Sequence, residues 1–296
     1  MNLPRASLAA TIAAAALAVT GVAATPALAH PAPAATHAAH GFGFNYRAAQ
    51  AARAAHRNTS QGQALPLRKV GATSVPSSYS LENYALTPGD QGQVGSCVTW
   101  ATGYSGYGIL MNEQGISGAP MAPMYIYSQI VAKYDNGQDN GTEASIALPM
   151  EQQQGIDTQS DYYQGTTDYQ DQPTAAEKAN AANYKLSGFS DLTTSGDLQT
   201  NIESAIASGL PVAIGFEVRS SFENLNSSNY NYNPSRSESA LGGHEVTIVG
   251  YDSTGVTIEN SGGTSWGDDG FFTAPWSFVL GSDVNEVHSI GKLVQS

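Results

Sequence analysis

The chain contains a single cysteine among its 296 residues, and this constrains the fold more than any other feature. One cysteine excludes an intramolecular disulfide, and it excludes any zinc or iron–sulfur site built from several cysteines. Stability must therefore come from a packed core. Hydrophobic residues make up 41% of the chain, which is long enough for one large domain or two small ones. We expect a globular protein.

Charge divides the chain near residue 75. Residues 30–74 carry five basic residues and no acidic one, a net charge of +5. Residues 75–296 carry six basic residues against 25 acidic ones, a net charge of −19. Because nucleic-acid binding leaves a basic footprint, this acidic domain is not expected to bind nucleic acid.

The first 29 residues have the composition of an export signal. Arg5 precedes an apolar run over residues 8–24, and Ala-Leu-Ala at 27–29 supplies the small residues that signal peptidase requires. The alternative is a membrane-spanning helix, but the run is mostly alanine, which gains little on entering lipid. We expect cleavage after Ala29, a secreted protein and no membrane association afterwards.

The segment 30–74 is open to two interpretations. Its alanines and arginines favour a short basic helix over Asn45–Arg57, and the segment would serve equally as a solvated linker. Alternatively it is a propeptide, because a +5 segment ahead of a −19 domain is attracted to that domain and can cover a site on it. The folded domain is expected to span 75–296.

The cysteine follows the glycine-rich turn 92–96. A helical register from Cys97 places Val98 and Ala101 inward and puts the thiol at a helix N-terminus, where free N–H groups lower the pKa of a thiol. Three glycines oppose such a helix unless close packing requires them: Gly103, Gly106 and Gly108. An unpaired cysteine in an exported protein is a candidate reactive thiol, although many buried cysteines are inert.

Two of the six histidines lie after residue 75. His244 begins a run whose apolar residues alternate, which predicts a strand starting at the histidine. A second short strand ends at Asn260, and adjacent strands would place His244 and Asn260 on one rim. His288 has no motif around it and is expected to be structural.

The rest of the domain shows helices first and strands later, which favours an α+β fold. Helices are predicted over Met121–Lys133, Thr142–Gln154 and Asp197–Ser208, and a strand over Pro211–Val218. The tyrosine-rich stretch Tyr230–Tyr232 is expected in a surface loop.

Three motifs in this order resemble the papain family of cysteine peptidases, especially its bacterial secreted branch. They are Gln-Gly-x-x-Gly-Ser-Cys ending at Cys97, Gly-His-x-Val-x-x-Val-Gly-Tyr around His244, and Asn-Ser-x-Gly-x-x-Trp-Gly from Asn260. The 147 positions between Cys97 and His244 are typical of that family. The resemblance runs from Val75 to the C-terminus.

The resemblance implies a two-lobe fold, with a helical left lobe, a β-barrel-like right lobe and the active-site cleft between them. Cys97 matches the nucleophile, His244 the base and Asn260 the residue that orients the imidazole. Gln91 matches the side-chain donor of the oxyanion hole, beside the backbone N–H of Cys97. Gly141 matches a glycine that lines one substrate subsite.

The implied function is a secreted cysteine endopeptidase that hydrolyses peptide bonds through a thioester acyl-enzyme. It would act as a monomer on peptide or protein substrates, without a cofactor or metal. Two alternatives stay open. One is a transpeptidase or peptide ligase on the same acyl-enzyme, and the other is a catalytically silent binding protein.

The sequence departs from the family pattern at two positions. Val98 stands where an aromatic residue usually follows the nucleophile, and Gly262 stands where an aromatic usually shields the His–Asn contact from water. A wetter contact would orient the imidazole less firmly, so modest turnover is expected.

Overall fold

The computed structural model describes residues 41–45, 47–49, 75–162, 168–194 and 196–294. The predicted signal peptide lies outside the described residues, as does most of the basic segment. All described residues belong to one compact unit. Within these ranges, no helix combines the length and the hydropathy needed to cross a membrane.

Helices dominate the first half of the domain. The α-helices are α1 (Cys97–Thr99), α2 (Tyr107–Gln114), α3 (Pro123–Tyr134), α4 (Ala144–Gln154), α5 (Ala175–Ala181), α6 (Leu198–Ala207) and α7 (Trp276–Val279). A π-helical stretch, Trp100–Gly106, joins α1 to α2, and the three together are called the central helix below. Short 3₁₀ helices cover Glu82–Tyr84 and Ser220–Asn224.

The central helix begins at Cys97, as predicted, and tolerates its glycines because they are packing positions. A Cβ added at each glycine would lie only 2.5–2.8 Å from a neighbouring apolar side chain. The three pairs are Gly103 with Ile156, Gly106 with Ile290, and Gly108 with Leu86. The helix therefore gains close packing in return for the weak helix propensity of glycine.

The other predicted helices are confirmed to within two residues at each end, because their boundaries are set locally. The side chain of Asp197 caps α6 by accepting the N–H of Thr200 at 2.9 Å. Pro123 occupies the first turn of α3, where its missing N–H costs no helical hydrogen bond.

Seven strands follow an antiparallel pattern. They are β1 (Tyr79–Ser80), β2 (Phe189–Asp191), β3 (Val212–Arg219), β4 (Ala240–Tyr251), β5 (Gly255–Glu259), β6 (Phe271–Pro275) and β7 (Val284–Ile290). The order is β2-β7-β3-β4-β5-β6, with β1 paired to β4. Because β2 and β6 do not pair with each other within the described ranges, the sheet is open, and the barrel-like lobe is corrected to an open sheet.

Strand β4 begins four residues earlier than predicted, at Ala240, because its first residues pair with the end of β3. His244 therefore lies inside the strand, opposite Phe216. Strand β5 ends at Glu259, so Asn260 follows directly. Thr247 donates its hydroxyl to the carbonyl of Ala101 at 2.8 Å, which fixes the central helix against β4.

The predicted surface position of the tyrosine-rich loop is wrong for Tyr232, which is 1% exposed. Its hydroxyl accepts the N–H of Arg219 at 2.8 Å, and its ring centroid lies 4.9 Å from that of Phe278 and 5.8 Å from that of Phe216. One polar tip and one apolar ring allow the tyrosine to join the core of the sheet half.

Candidate active site

The imidazole of His244 is held by Asn260. Nε2 of His244 and Oδ1 of Asn260 lie 2.7 Å apart, and the two residues are 1% and 2% exposed. This pairing engages Nε2 and leaves Nδ1 as the ring nitrogen that would exchange a proton with a thiol. The strand pairing of β4 with β5 brings the two side chains together.

The contact between His244 and Asn260 is buried in this covered state, and aromatic rings pack around the imidazole. The ring of Phe222 lies 5.6 Å from the imidazole, edge to face, and Trp266 packs 4.8 Å from Phe222. Phe222 comes from the 3₁₀ helix after β3. An aromatic side chain from elsewhere in the chain thus packs against the imidazole, next to a motif that has Gly262 at its usual aromatic position.

Cys97 lies at the start of the central helix, fully buried, with its sulfur hydrogen-bonded by the backbone of Glu245 and of Gly43. Glu245 directly follows His244, so the structure brings the thiol to the histidine's strand. Burial raises the pKa of the Cys97 thiol to about 12, against the lowering effect of these backbone hydrogen bonds. The lowered pKa expected at a helix N-terminus is therefore absent in this state, because the cleft is covered.

Gln91 is oriented by the residue after Asn260. Its Oε1 accepts the hydroxyl of Ser261, so its Nε2 must point the other way. Nε2 donates to the carbonyl oxygens of Val94 at 3.0 Å and of Gly41 at 2.7 Å. The amide expected in an oxyanion hole is therefore occupied by a carbonyl of the chain itself.

The carbonyl of Gly41 that engages the Gln91 amide belongs to residues 41–45, called the cleft segment below. The N–H of Gly41 donates to the carbonyl of Gly92 at 3.1 Å, and the N–H of Phe44 donates to that of Gly243 at 3.0 Å. The ring of Phe42 lies 5.5 Å from the imidazole of His244. The cleft segment thus touches both the loop before Cys97 and the strand that carries His244.

The opposite side of the cleft segment pairs with Thr142. The N–H of Thr142 donates to the carbonyl of Gly43 at 2.8 Å, and the N–H of Asn45 donates to the carbonyl of Thr142 at 3.0 Å. Gly141, predicted to line a substrate subsite, has a φ of 75°, and a Cβ there would overlap the carbonyl of Gly43. The glycine therefore lies where an extended backbone docks.

The comparisons with known proteins agree with this arrangement. The sequence model of Peptidase_C1, the papain family cysteine proteases, matches residues 76–277. The chain belongs to the papain family. It is a cysteine-type peptidase, and its substrates are peptides or proteins.

Several relatives of this papain-family chain are known. Cysteine proteinase 3 of Entamoeba histolytica is 29% identical over 234 residues, covering 76% of this chain and 68% of that protein. Cathepsin B-like CP3 of Giardia intestinalis is 30% identical over 234 residues, covering 71% and 72%. An uncharacterised peptidase C1-like protein of Acanthamoeba polyphaga mimivirus is 25% identical, covering 66% of each. The match spans about two thirds of these relatives' lengths.

Solved structures share the papain-like fold. The cysteine protease xylellain from Xylella fastidiosa superposes with a TM-score of 0.68 at 21% identity, covering 79% of this chain and 92% of that one. Digestive procathepsin L 3 of Tenebrio molitor larval midgut superposes with a TM-score of 0.62 at 20% identity, covering 78% and 75%. At these identities the likeness concerns the fold.

Sequence reasoning missed a hydrogen-bonded brace beside the papain-family motifs. Both carboxylate oxygens of Asp139 accept the N–H of Gly95, at 3.1 Å each. The hydroxyl of Tyr127 donates to the same carboxylate and accepts the N–H of Gly141 at 3.1 Å. The brace ties the loop before Cys97 to the strand-like edge that pairs with the cleft segment. Its one sequence signal was the position of Asp139, two residues before Gly141.

His288 stands apart from this site. It lies in β7, is 2% exposed, and packs 6.3 Å from the ring of Phe189. Burial lowers the pKa of His288, so the ring stays neutral at neutral pH. Its surroundings are those of a core residue.

Proposed function

We propose that the protein is an endopeptidase that cleaves peptide bonds through a thioester acyl-enzyme, with Cys97 as nucleophile and His244 as base. The observation that carries the proposal is the buried 2.7 Å contact between His244 and Asn260, beside the strand residue that hydrogen-bonds the Cys97 sulfur. A thiol, a proton acceptor and an orienting amide are the groups that nucleophilic thiol catalysis requires.

The steps follow from these positions. Nδ1 of His244 accepts the thiol proton while Asn260 holds Nε2, and the thiolate attacks the substrate carbonyl carbon. Nε2 of Gln91 and the backbone N–H of Cys97 stabilise the negative oxygen of the tetrahedral intermediate. The C–N bond breaks, and the amine leaves with the proton from His244. Water, deprotonated by His244, then cleaves the thioester and restores the thiol.

The cleft segment is the inhibitory part of a propeptide that spans 30–74. Three observations support this proposal. The Gln91 amide donates to the carbonyl of Gly41, the backbone of Thr142 is paired with that of the cleft segment, and Cys97 is fully buried. A substrate needs the same groups, so the segment and the substrate exclude each other. The +5 charge of 30–74 against the −19 of the rest favours docking at low salt.

Export is the remaining part of the proposal. Residues 1–29 act as a signal peptide that is removed after Ala29, and the protein works outside the cell as a monomer without a cofactor. An extracellular enzyme with one thiol and no disulfide depends on its core and on braces such as Asp139 with Gly95.

The test is labelling of Cys97 with an epoxysuccinyl peptide at about pH 6, where an ordinary thiol of pKa about 8.5 reacts slowly. The full chain is compared before and after proteolytic removal of 30–74, with His244→Ala and Cys97→Ala as controls. We expect fast labelling only after removal and only with His244 present. Labelling that is indifferent to His244 means an unactivated thiol and a binding protein.

Hydrolysis and ligation share the acyl-enzyme and are separated by product analysis. The processed chain is given a peptide substrate with and without an added amine nucleophile. We expect hydrolysis products in both cases. Predominantly coupled product in the presence of the amine would assign a transpeptidase instead.

A further inference from the structure

The side chain of Phe44 fills a pocket beside the proposed nucleophile. Phe44 is 4% exposed, and the backbone on either side of it is fixed by its hydrogen bonds to Gly243 and Thr142. The tip of its ring lies against Gly215 of β3, where an added Cβ would stand 2.6 Å from Cζ. The missing side chain at Gly215 therefore gives the pocket its depth.

Two glutamates flank Gly215 in the sheet. Gly215 lies directly opposite Glu245 of β4 and directly opposite Glu286 of β7. Residues opposite each other in antiparallel strands project from the same face of the sheet. Both carboxyl side chains therefore project from the face that the Phe44 ring contacts.

These carboxyls have no cation to pair with among the described residues around them. Glu245 is fully buried, and its carboxyl is hydrogen-bonded with that of Glu286. Glu286 also accepts the backbone N–H of Ala144 at 2.5 Å, a donor without a net charge. The groups that face Glu245 are further carboxyls, those of Glu286, Glu151 and Glu143. His288, 4.0 Å from Glu286, is buried, and burial lowers its pKa and so disfavours its charged form.

Burial in the covered state favours the protonated form of these carboxyls. Burial and the Glu286 carboxyl raise the pKa of Glu245 well above its ordinary value, and burial raises the pKa of Glu286 to about 8 and that of Glu143 to about 7. A phenyl ring tolerates neutral carboxyl groups but offers them no hydrogen bond. The pocket is thus built of acidic groups around an occupant that does not use them.

We propose that the Phe44 pocket selects a long cationic side chain of the substrate, arginine or lysine, and that Gly215, Glu245 and Glu286 set this preference. The proposal rests on the peptidase function proposed above. A guanidinium is planar and carries five donors, so it reaches the floor left open by Gly215 and pairs with both carboxylates there. The cation supplies the charge compensation that the cluster lacks, whereas a neutral side chain does not.

The first experiment compares peptide substrates on the processed enzyme at about pH 7. Arginine, its neutral isostere citrulline, and phenylalanine are exchanged at each position before the cleaved bond. We expect kcat/KM for arginine to exceed that for citrulline at one position by about tenfold or more, as for a buried charged pair. Glu245→Gln and Glu286→Gln should each reduce this ratio. Glu259→Gln, a buried glutamate bonded to Ser105 instead, should leave the ratio unchanged.

Equal rates for arginine and citrulline at every position, or a preference for phenylalanine throughout, overturn the proposal while peptide hydrolysis itself stands. If no peptide is hydrolysed and the thiol is not activated by His244, the proposed function fails, and the pocket is judged by a second measurement that needs no catalysis.

That second measurement uses the full chain and replaces Phe44, the side chain that fills the pocket. Phe44→Arg should keep Cys97 protected from alkylation, because the arginine meets the carboxyls, whereas Phe44→Gln should lose protection by about tenfold or more. Combining Phe44→Arg with Glu245→Gln should abolish the advantage of arginine. Equal alkylation of Phe44→Arg and Phe44→Gln overturns the proposal.

Discussion

Replacing Phe44 by alanine should open the cleft without unfolding the enzyme. The side chain is 96% buried, since its exposure is 4%, and the tip of its ring lies against Gly215 of β3 rather than against its own segment. Removing a buried phenylalanine side chain costs about 3–5 kcal/mol. Here that loss falls mainly on docking of the cleft segment, because the ring belongs to that segment and Gly215, against which it packs, belongs to the folded domain.

The lower end of this range sets the expected effect. A loss of about 3 kcal/mol corresponds to about a 100-fold larger population of the open cleft, since 1.4 kcal/mol is a factor of ten. In the closed state Cys97 is fully buried and the pKa of its thiol is about 12, so both access and ionisation are blocked. The rate of Cys97 alkylation should therefore rise about 100-fold in Phe44→Ala, as long as opening precedes reaction.

The assay is alkylation of the full chain with iodoacetamide, followed by mass spectrometry. Because the chain has one cysteine, each adduct reports on Cys97 alone. The matched control is Phe189→Ala, which removes a fully buried phenylalanine that packs on His288. It should lower the free energy of unfolding without a comparable gain in alkylation. Similar rates for Phe44→Ala and wild type, or an equal gain in the control, would refute docking by Phe44.

Three further predictions concern orientation, bracing and pH. Asn260→Ala should lower kcat of the processed enzyme at least tenfold with little change in KM, because the imidazole loses the acceptor that orients it; steady-state kinetics measure this. Tyr127→Phe removes the hydroxyl that links Asp139 to Gly141 and should cost about 1 kcal/mol in denaturant unfolding, together with a raised KM. Burial raises the pKa of Glu151 from its ordinary 4.5 to about 8, so the folded state holds this proton more tightly than the unfolded chain. The free energy of unfolding should therefore fall as pH rises from about 4.5 through about 8, and Glu151→Gln should make this slope shallower.

The outcomes that contradict these expectations are distinct. An unchanged kcat in Asn260→Ala would show that the imidazole is oriented without the amide. A Tyr127→Phe variant with wild-type stability and KM would show that the brace contributes neither to stability nor to substrate binding. Equal slopes of unfolding free energy against pH in Glu151→Gln and wild type would mean that another carboxyl carries the proton uptake.

Local signals in the sequence were sufficient to identify the three motifs and to predict several helices. Helices α3, α4 and α6 were predictable because caps, prolines and apolar spacing act within a few residues, as Asp197 does at α6. Short patterns around Cys97, His244, Asn260 and Gln91 predicted these residues as a site. The structure places His244 against Asn260 and Gln91 against Ser261, and their catalytic roles stay a prediction. The charge change near residue 75 suggested a covering segment, although not which residues would dock.

Only the tertiary structure decided the remaining features, because they join residues that are far apart in sequence. Phe222 shields a histidine 22 positions later, and the hydroxyl of Tyr232 turns inward to the backbone of Arg219. The cleft segment reaches Gln91 across 50 positions. The pocket of Phe44 exists because three strands place a glycine between two glutamates, an arrangement set by sheet register, which no local pattern in any one of those strands encodes.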